Sequence, residues 1–432
     1  MTAQAPASDR REFLKTSSAA VAGALSALAM PQGVHAAGSD VLKVGLIGCG
    51  GRGSGAAAQA LKADPNVKLW AMADAFADRI EFSLKNLAKS EDITAKIDVA
   101  PERRFAGFDA YKQVIDACDV VLLATPPHFR PLHLKAAVDA GKHVFAEKPV
   151  AVDGPGVRSV IATCEEAKRK NLSIVSGLCL RYDPGYQELI KRIHEGAIGE
   201  IVALQANDYR GPIWVRPRES GWSDMTWQMR NWYYFTWLCG DFNVEQHVHF
   251  LDLCSWVKGN EYPVKAIGTG GRQQRTEPHF GHIYDHFAVT YEYADGAKLF
   301  ATCRQQTGCE PDISGHVLGT KGTAQIVTRK GGTFLKNEEG PWRYGGPEGN
   351  MFQIEHDQLF ASIRSGQPIN NGDYMSRSTL LAIMGRMAAY TGQLITWEMA
   401  MNSQEDLSPP RYDWDVELPD PPVAIPGMTK FV

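Results

Sequence analysis

The stretch Val41 to Gly55 constrains this chain more than any other. An apolar run, Val44 to Ile47, enters Gly48-Cys49-Gly50-Gly51-Arg52-Gly53, and an alanine-rich stretch, Ala56 to Lys62, follows at once. A buried strand that feeds a helix through a G-x-G-x-x-G turn predicts a unit whose helix N-terminus faces an anion. Gly48 permits the tight turn, Gly50 lets backbone N–H groups approach a pyrophosphate, and Gly53 lets helix and strand pack closely. A second strand, Val67 to Ala73, ends in Asp74, about twenty residues past the last glycine, where a carboxylate accepts hydrogen bonds from ribose hydroxyls. The expected ligand is therefore NAD, because a carboxylate repels the 2′-phosphate of NADP; neighbouring Arg79 keeps NADP as the lesser alternative.

Farther along, Asp119 to Ala124 and His143 to Ala146 are continuous apolar runs set between helix-length segments at Asp78 to Lys89, Pro131 to Ala140 and Gly154 to Lys170. Runs buried on both faces mark parallel strands, and their alternation with helices predicts an α/β fold with a doubly wound parallel sheet. Ser173 to Leu180 is expected to be its last strand, which bounds a Rossmann domain at residues 40–180. From Arg181 the texture changes. After a helix over Tyr186 to Glu195, half-exposed alternating segments occur at Ile201 to Ala206, Val264 to Gly268, His286 to Tyr293, Ala297 to Cys303, His316 to Leu318 and Thr323 to Val327. They predict a C-terminal α/β domain over 181–400 with a largely antiparallel open sheet, helices at Phe352 to Ser365 and Ser376 to Tyr390 completing it. Pro409, Pro410, Pro419, Pro421, Pro422 and Pro426 make 401–432 an extended tail, draped over the body or a neighbouring subunit.

Residues 1–36 stand apart. Arg10-Arg11 precedes an apolar, small-residue run, Ala19 to Met30, and Val34-His35-Ala36 offers a cleavage site. This resembles a twin-arginine export signal, with Asp9 where Ser or Thr is usual. The run is too short and too rich in Ala and Gly to span a bilayer. A periplasmic protein that folds and takes up its nucleotide before export, with no membrane partner afterwards, is the expectation. A net charge of -4 over 432 residues leaves room for two cores and no basic surplus to attract nucleic acid. The cysteines lack C-x-x-C spacing and do not read as a disulfide framework, with a Cys303–Cys309 pairing left open.

Acid–base chemistry is concentrated in two segments. Glu147-Lys148-Pro149 sits at the carboxyl end of a strand, where open α/β sheets bind ligands. In Gly240 to Asp252, Asp241 is an N-cap candidate, and helical spacing puts Glu245, His249 and Asp252 on one face. His249 can take a hydroxyl proton, Lys148 can stabilise charge on the oxygen, and Glu245 can orient the imidazole. The bland readings are a surface lysine before a turn proline, a satisfied core histidine and a helix salt bridge. His279 to His286, with His247 and His249, invites a metal, but no Cys/His spacing supports one and none is expected.

Gly48 to Gly53, Thr125-Pro126-Pro127-His128, Ala140 to Pro149 and His249-Phe250-Leu251-Asp252 together resemble the glucose-fructose oxidoreductase and inositol dehydrogenase family, Gfo/Idh/MocA. The resemblance implies catalytic roles for Lys148 and His249, with Glu245 standing where many members have Asp. It implies cofactor contacts from Gly48, Gly50, Gly51, Arg52, Gly53, Asp74, Thr125, Pro126, His128, Glu147 and Lys148, and tightly held NAD or NADP. Sugars or cyclitols are the implied substrates, and a homo-oligomer, dimer or tetramer, the implied assembly. His247 stands where Gly is usual, and Arg130 where a His often follows the turn.

Trp214, Trp222, Trp227, Trp232 and Trp237 accumulate with Tyr209, Tyr233, Tyr234, Arg210, Arg216, Arg218 and Arg230 between positions 209 and 237. Aromatic faces suit the C–H faces of sugar rings, and guanidinium forks suit hydroxyls or acids. A substrate loop over the nicotinamide is expected, with aromatic packing at an interface or core as the alternative. Substrate contacts are expected from Arg181, Tyr182, Tyr209, Arg210, Trp232, His249 and Tyr284. The leading expectation is an exported NAD(P)-dependent oxidoreductase that moves hydride between a secondary alcohol of a sugar, glycoside or cyclitol and a tightly bound cofactor. The alternative is an NAD-dependent glycoside hydrolase working through transient oxidation and elimination, which needs a second base such as His247 or Tyr182. A cofactor-binding protein without activity is disfavoured by the intact Lys148 and His249.

Overall fold

The computed structural model describes residues 40–327 and 332–432. The paired arginines and the expected export signal lie outside the described residues. Six strands, β1 (Leu42–Ile47), β2 (Val67–Asp74), β3 (Arg104–Ala106), β4 (Val120–Leu123), β5 (His143–Ala146) and β6 (Ile174–Ser176), form a parallel sheet ordered β3-β2-β1-β4-β5-β6. Strand order reverses between β1 and β4, so a crevice opens at their carboxyl ends. Every residue of β4 is buried, as a strand covered on both faces requires. The sixth strand stops at Ser176, short of the expected Leu180, because Cys179–Tyr182 coils into a 3-10 turn.

The second sheet has nine strands, in the order β14-β13-β12-β11-β7-β10-β9-β8-β15. They are β7 (Ile201–Arg210), β8 (Lys265–Gly271), β9 (His286–Glu292), β10 (Lys298–Gln305), β11 (Asp312–Gly319), β12 (Gly322–Val327), β13 (Phe334–Asn337), β14 (Gly340–Arg343) and β15 (Ile395–Thr396). Only β7 and β10 pair in parallel. One face is covered by helices Val248–Val257 and Gly372–Thr391, the latter buried almost all round. The other face is open and carries Ile267, Phe300 and Leu318, each about half exposed.

Helix Met351–Ser365 leaves the second sheet and packs on helix Gly51–Ala63 of the first. Leu359, Phe360 and Ile363 join Ala56, Ala57 and Leu61 in one core, and Arg364 clamps Asp64 at 2.7 Å. The proline-rich tail lies on the body. Its Trp414 ring sits 4.4 Å from Phe108 and 5.1 Å from Phe76. All of the cysteines are unpaired; Cys303 is buried and Cys309 exposed, so the open pairing between them is not made.

Candidate active site

The glycines of the first turn divide into two pairs. Gly48 has φ 99°, and a Cβ there would lie 2.5 Å from the carbonyl carbon of Ala124; one at Gly53 would lie 1.9 Å from the oxygen of Gly48. Both are needed by the protein itself. A Cβ at Gly50 or Gly51 would meet nothing within 4 Å, so the space above the helix N-terminus is an open cradle that fits a pyrophosphate. It belongs to a cavity of about 480 Å³ that runs from Asp74 past the glycine loop to Thr125 and Pro126. Arg52 lines this cavity while its Nε donates to Glu147 Oε1 at 2.5 Å, tying the loop to the end of β5. Asp74 braces the same loop: Cys49 N–H donates to Oδ2 at 2.7 Å and Phe76 N–H to Oδ1 at 3.0 Å. Burial pushes its carboxyl up from the ordinary value.

The segment that meets Lys148 is reversed by Gly240 and Asp241, both at positive φ. Asp241 is held there by hydrogen bonds from Phe242 N–H (2.6 Å), Tyr284 N–H (2.9 Å) and the Tyr390 hydroxyl (2.5 Å). The single helix expected from Asp241 is broken. Phe242–Glu245 is one short turn, and Val248–Val257 starts anew after His247, whose ring is fully buried against Asn243 and the Ala206 carbonyl. The break brings Glu245 to Lys148 at the end of β5, while His249 and Asp252 stay one turn apart on the second helix, Asp252 bonding Arg181 and Ser378.

Lys148 Nζ donates to Glu245 Oε2 at 3.0 Å and to the Glu245 carbonyl at 2.5 Å. Glu245 therefore holds the lysine, not the imidazole it was expected to orient. Burial raises the Glu245 carboxyl, with Lys148 opposing the rise. His249 Nδ1 is buried without a hydrogen-bond partner. Burial first, then the charges of Lys148 and Arg210, hold His249 well below the usual imidazole range, so it is neutral. Behind the lysine, the buried Arg130 guanidinium donates to the Lys148 carbonyl at 3.3 Å, and burial lowers it to about 10.

Other expected contacts are engaged elsewhere. Arg181 forks onto Asp252 at 2.8 Å and stacks over Tyr374; Tyr182 donates to Asn371 at 2.8 Å. Tyr209 meets Thr302 across the second sheet, and Arg210 pairs with Asp208 while remaining in electrostatic reach of His249. Tyr284 is buried with its hydroxyl on the Ala424 carbonyl, and His128 bonds Tyr412 of the tail rather than facing the cavity. Trp232 does line the cavity, with Trp214, Arg216, Met229 and Arg230. This wall reaches the Asp74 end, where Arg230 bonds Asp78, and is not confined to the expected nicotinamide side. Sequence reasoning passed over Phe76 and Phe108 in the cavity wall, which carry no motif. It also missed buried Glu355, 3.8 Å from Arg52 and pushed up by burial and the charge of Glu147, which no motif marks.

Comparison with known proteins bears on the fold and the family. Residues 42–175 match the Gfo/Idh/MocA "Oxidoreductase family, NAD-binding Rossmann fold", and residues 190–395 its "C-terminal alpha/beta domain". The chain is 28% identical over 209 residues to 2,7-anhydro-N-acetylneuraminate hydratase of Escherichia coli, covering 48% of this chain and 51% of that protein. It is 26% identical over 327 residues to inositol 2-dehydrogenase 4 of Saccharopolyspora erythraea, covering 74% and 82%. Several curated relatives are matched over only about half their length. The fold superposes on levoglucosan dehydrogenase in complex with NADH and levoglucosan with TM-score 0.65 and 19% identity, over 83% of this chain and 99% of that one. The chain is a member of the Gfo/Idh/MocA oxidoreductase family.

Proposed function

We propose that this protein oxidises, or in reverse forms, a secondary alcohol on a sugar, glycoside or cyclitol, using a nicotinamide dinucleotide held over the glycine loop. When bound, that dinucleotide supplies the acceptor for the hydride leaving the carbon. Gly50, Gly51, Arg52, Thr125 and Pro126 would hold it, lining the open cradle. The observation that carries the reading is the Lys148–Glu245 pair beside a neutral His249. An ammonium has three N–H donors, and Glu245 takes two of those on Lys148, leaving one for a substrate oxygen. A cation fixed at that oxygen stabilises negative charge as it develops. His249, with Nδ1 shut away, exchanges the hydroxyl proton at Nε2.

Redox-assisted hydrolysis, the other reading, is less well served. The bases it needs are committed: His247 is buried on two hydrogen bonds and Tyr182 bonds Asn371. Export through the twin-arginine pathway to the periplasm rests on Arg10-Arg11 and the apolar run after them. Self-association rests on the open sheet face with Ile267, Phe300 and Leu318. Incubation of the full-length protein with sugars, glycosides and cyclitols tests the assignment. Reduced nicotinamide accumulating with an oxidised product supports it; aglycone release without net reduction moves the assignment to hydrolysis.

A further inference from the structure

Arg386 is fully buried on helix Gly372–Thr391, and its Nη1 donates to two carbonyls from different parts of the candidate site, Val152 at 2.7 Å and Gly240 at 3.4 Å. Val152 lies four residues beyond Lys148, and Gly240 five residues before Glu245. The same helix holds both segments at further points. The Thr379 hydroxyl accepts from Val150 N–H at 3.3 Å, the Ala382 carbonyl accepts from Asn243 Nδ2 at 2.8 Å, and the Tyr390 hydroxyl donates to Asp241 at 2.5 Å. Lys148 and Glu245 are thus presented to each other by two loops gripped by one helix, and Arg386 is a single side chain that grips both.

The counter-charge comes from the proline-rich tail. Among the described residues, the carboxylate within ion-pair distance of Arg386 is that of Glu405, which accepts from Nη2. On either side of Glu405 the tail is pinned to the loop after Lys148: Arg158 Nη1 donates to the Ser403 carbonyl at 2.9 Å, and Leu407 N–H donates to Asp153 at 3.1 Å. Against burial, Glu405 first and then Tyr390, Asp153 and Asp241 keep the guanidinium charged. A guanidinium is a rigid planar fork, so anchoring one nitrogen on a carboxylate fixes where the others donate. Removing the carboxylate leaves a buried charge that must find other partners.

We infer that Arg386 is a positioning residue for the proposed hydride transfer, and that Glu405 makes the tail part of the active-site scaffold by holding the guanidinium where it fixes the spacing of Lys148 and Glu245. This rests on the acid–base reading of Lys148. A displacement of about 1 Å at a reacting group costs up to about a hundredfold in rate, so the pair acts on turnover without touching substrate or nucleotide.

The Glu405 side chain is 29% exposed, so Glu405→Gln in the full-length protein removes a charge without burying a new unsatisfied group. Turnover at saturating substrate is expected to fall about tenfold or more, with KM and NADH affinity moving less than about twofold. Amide hydrogen exchange should rise at residues 148–153 and 239–247 and stay unchanged in β1 and β2. The double variant Arg386→Met, Glu405→Leu replaces the buried pair with apolar bulk, an exchange that preserves stability in other proteins. Its melting temperature should match that of the unmodified protein while turnover stays low. A double variant that keeps both overturns the inference, because the pair then acts through stability alone. Unchanged turnover in Glu405→Gln, or unchanged exchange at either loop, overturns it as well, and the exchange measurement needs no substrate. Raised exchange at both loops in a protein whose unmodified form oxidises no sugar, glycoside or cyclitol supports the scaffold and overturns the proposed reaction.

Discussion

The two walls of the cofactor crevice are built from different material. One is main chain: Gly48 and Gly53 are pressed against Ala124 and against each other, and no side chain could replace either without moving backbone. The opposite wall is side chain, with Trp214, Arg216, Met229, Arg230 and Trp232 projecting from a segment between β7 and the turn at Gly240 and Asp241. Backbone geometry sets the class of ligand, because every dinucleotide shares a pyrophosphate. Telling one dinucleotide from another falls to side chains, because only the parts beyond the pyrophosphate vary.

Substitutions can break or sharpen this contrast. The largest effect is expected at the reacting end, where Lys148→Met should lower turnover about a thousandfold while nucleotide affinity, measured by titration, stays intact. Loss of nucleotide binding in that variant would move Lys148 into the cradle. Next, Gly53→Ala should lower both melting temperature and nucleotide binding, whereas Gly50→Ala, which meets no protein atom, should fold normally and lose binding alone. Equal melting temperatures for the two variants would erase the distinction between structural and ligand-facing glycines.

Acidification comes next in size. Burial holds His128, His247 and His282 at about 4 and His133 at about 3, against about 6.5 in an unfolded chain. Below pH about 6.5 the unfolded chain takes up protons that the folded one refuses, so stability should fall as the pH drops toward 4, by roughly 1–2 kcal/mol per histidine at pH 5. Glu355, whose carboxyl is pushed up by burial and the charge of Glu147 against the pull of Arg52, carries the opposite sign and offsets part of the loss. A melting temperature that does not move between pH 7 and pH 5 would contradict these burials. The smallest effect belongs to the side-chain wall: a double-mutant cycle on Asp78 and Arg230 should return under about 1 kcal/mol, because the Asp78 side chain is 59% exposed.

Much of the first wall was legible because its signals are local. The glycine spacing acts within a few residues of where it stands, and Asp74 and Glu147-Lys148-Pro149 are marked by the strands they end, although their partners Cys49, Arg52 and Glu245 lie far off. Reading failed where a partner lies far off in sequence. The buried ring of His247, where the helix breaks, meets the Ala206 carbonyl, and the carboxylate of Asp252 is taken by Arg181. Tyr284 looked like a pocket residue until the tail covered it, and Glu355 approaches Arg52 through a helix some three hundred residues downstream. Helical spacing puts side chains on a face, but what that face meets is decided by chain that local pattern does not see.

Helix Met351–Ser365 has a practical corollary for anyone recombining these proteins. Its apolar side chains finish the core beneath the glycine loop, and Arg364 closes on Asp64 there. A fragment cut near residue 200 would expose Ala56, Ala57 and Leu61 to water and would not be a freestanding nucleotide-binding module. Chimeras that exchange catalytic halves should transplant residues 351–371 together with the amino-terminal portion, since the functional seam does not follow the order of translation.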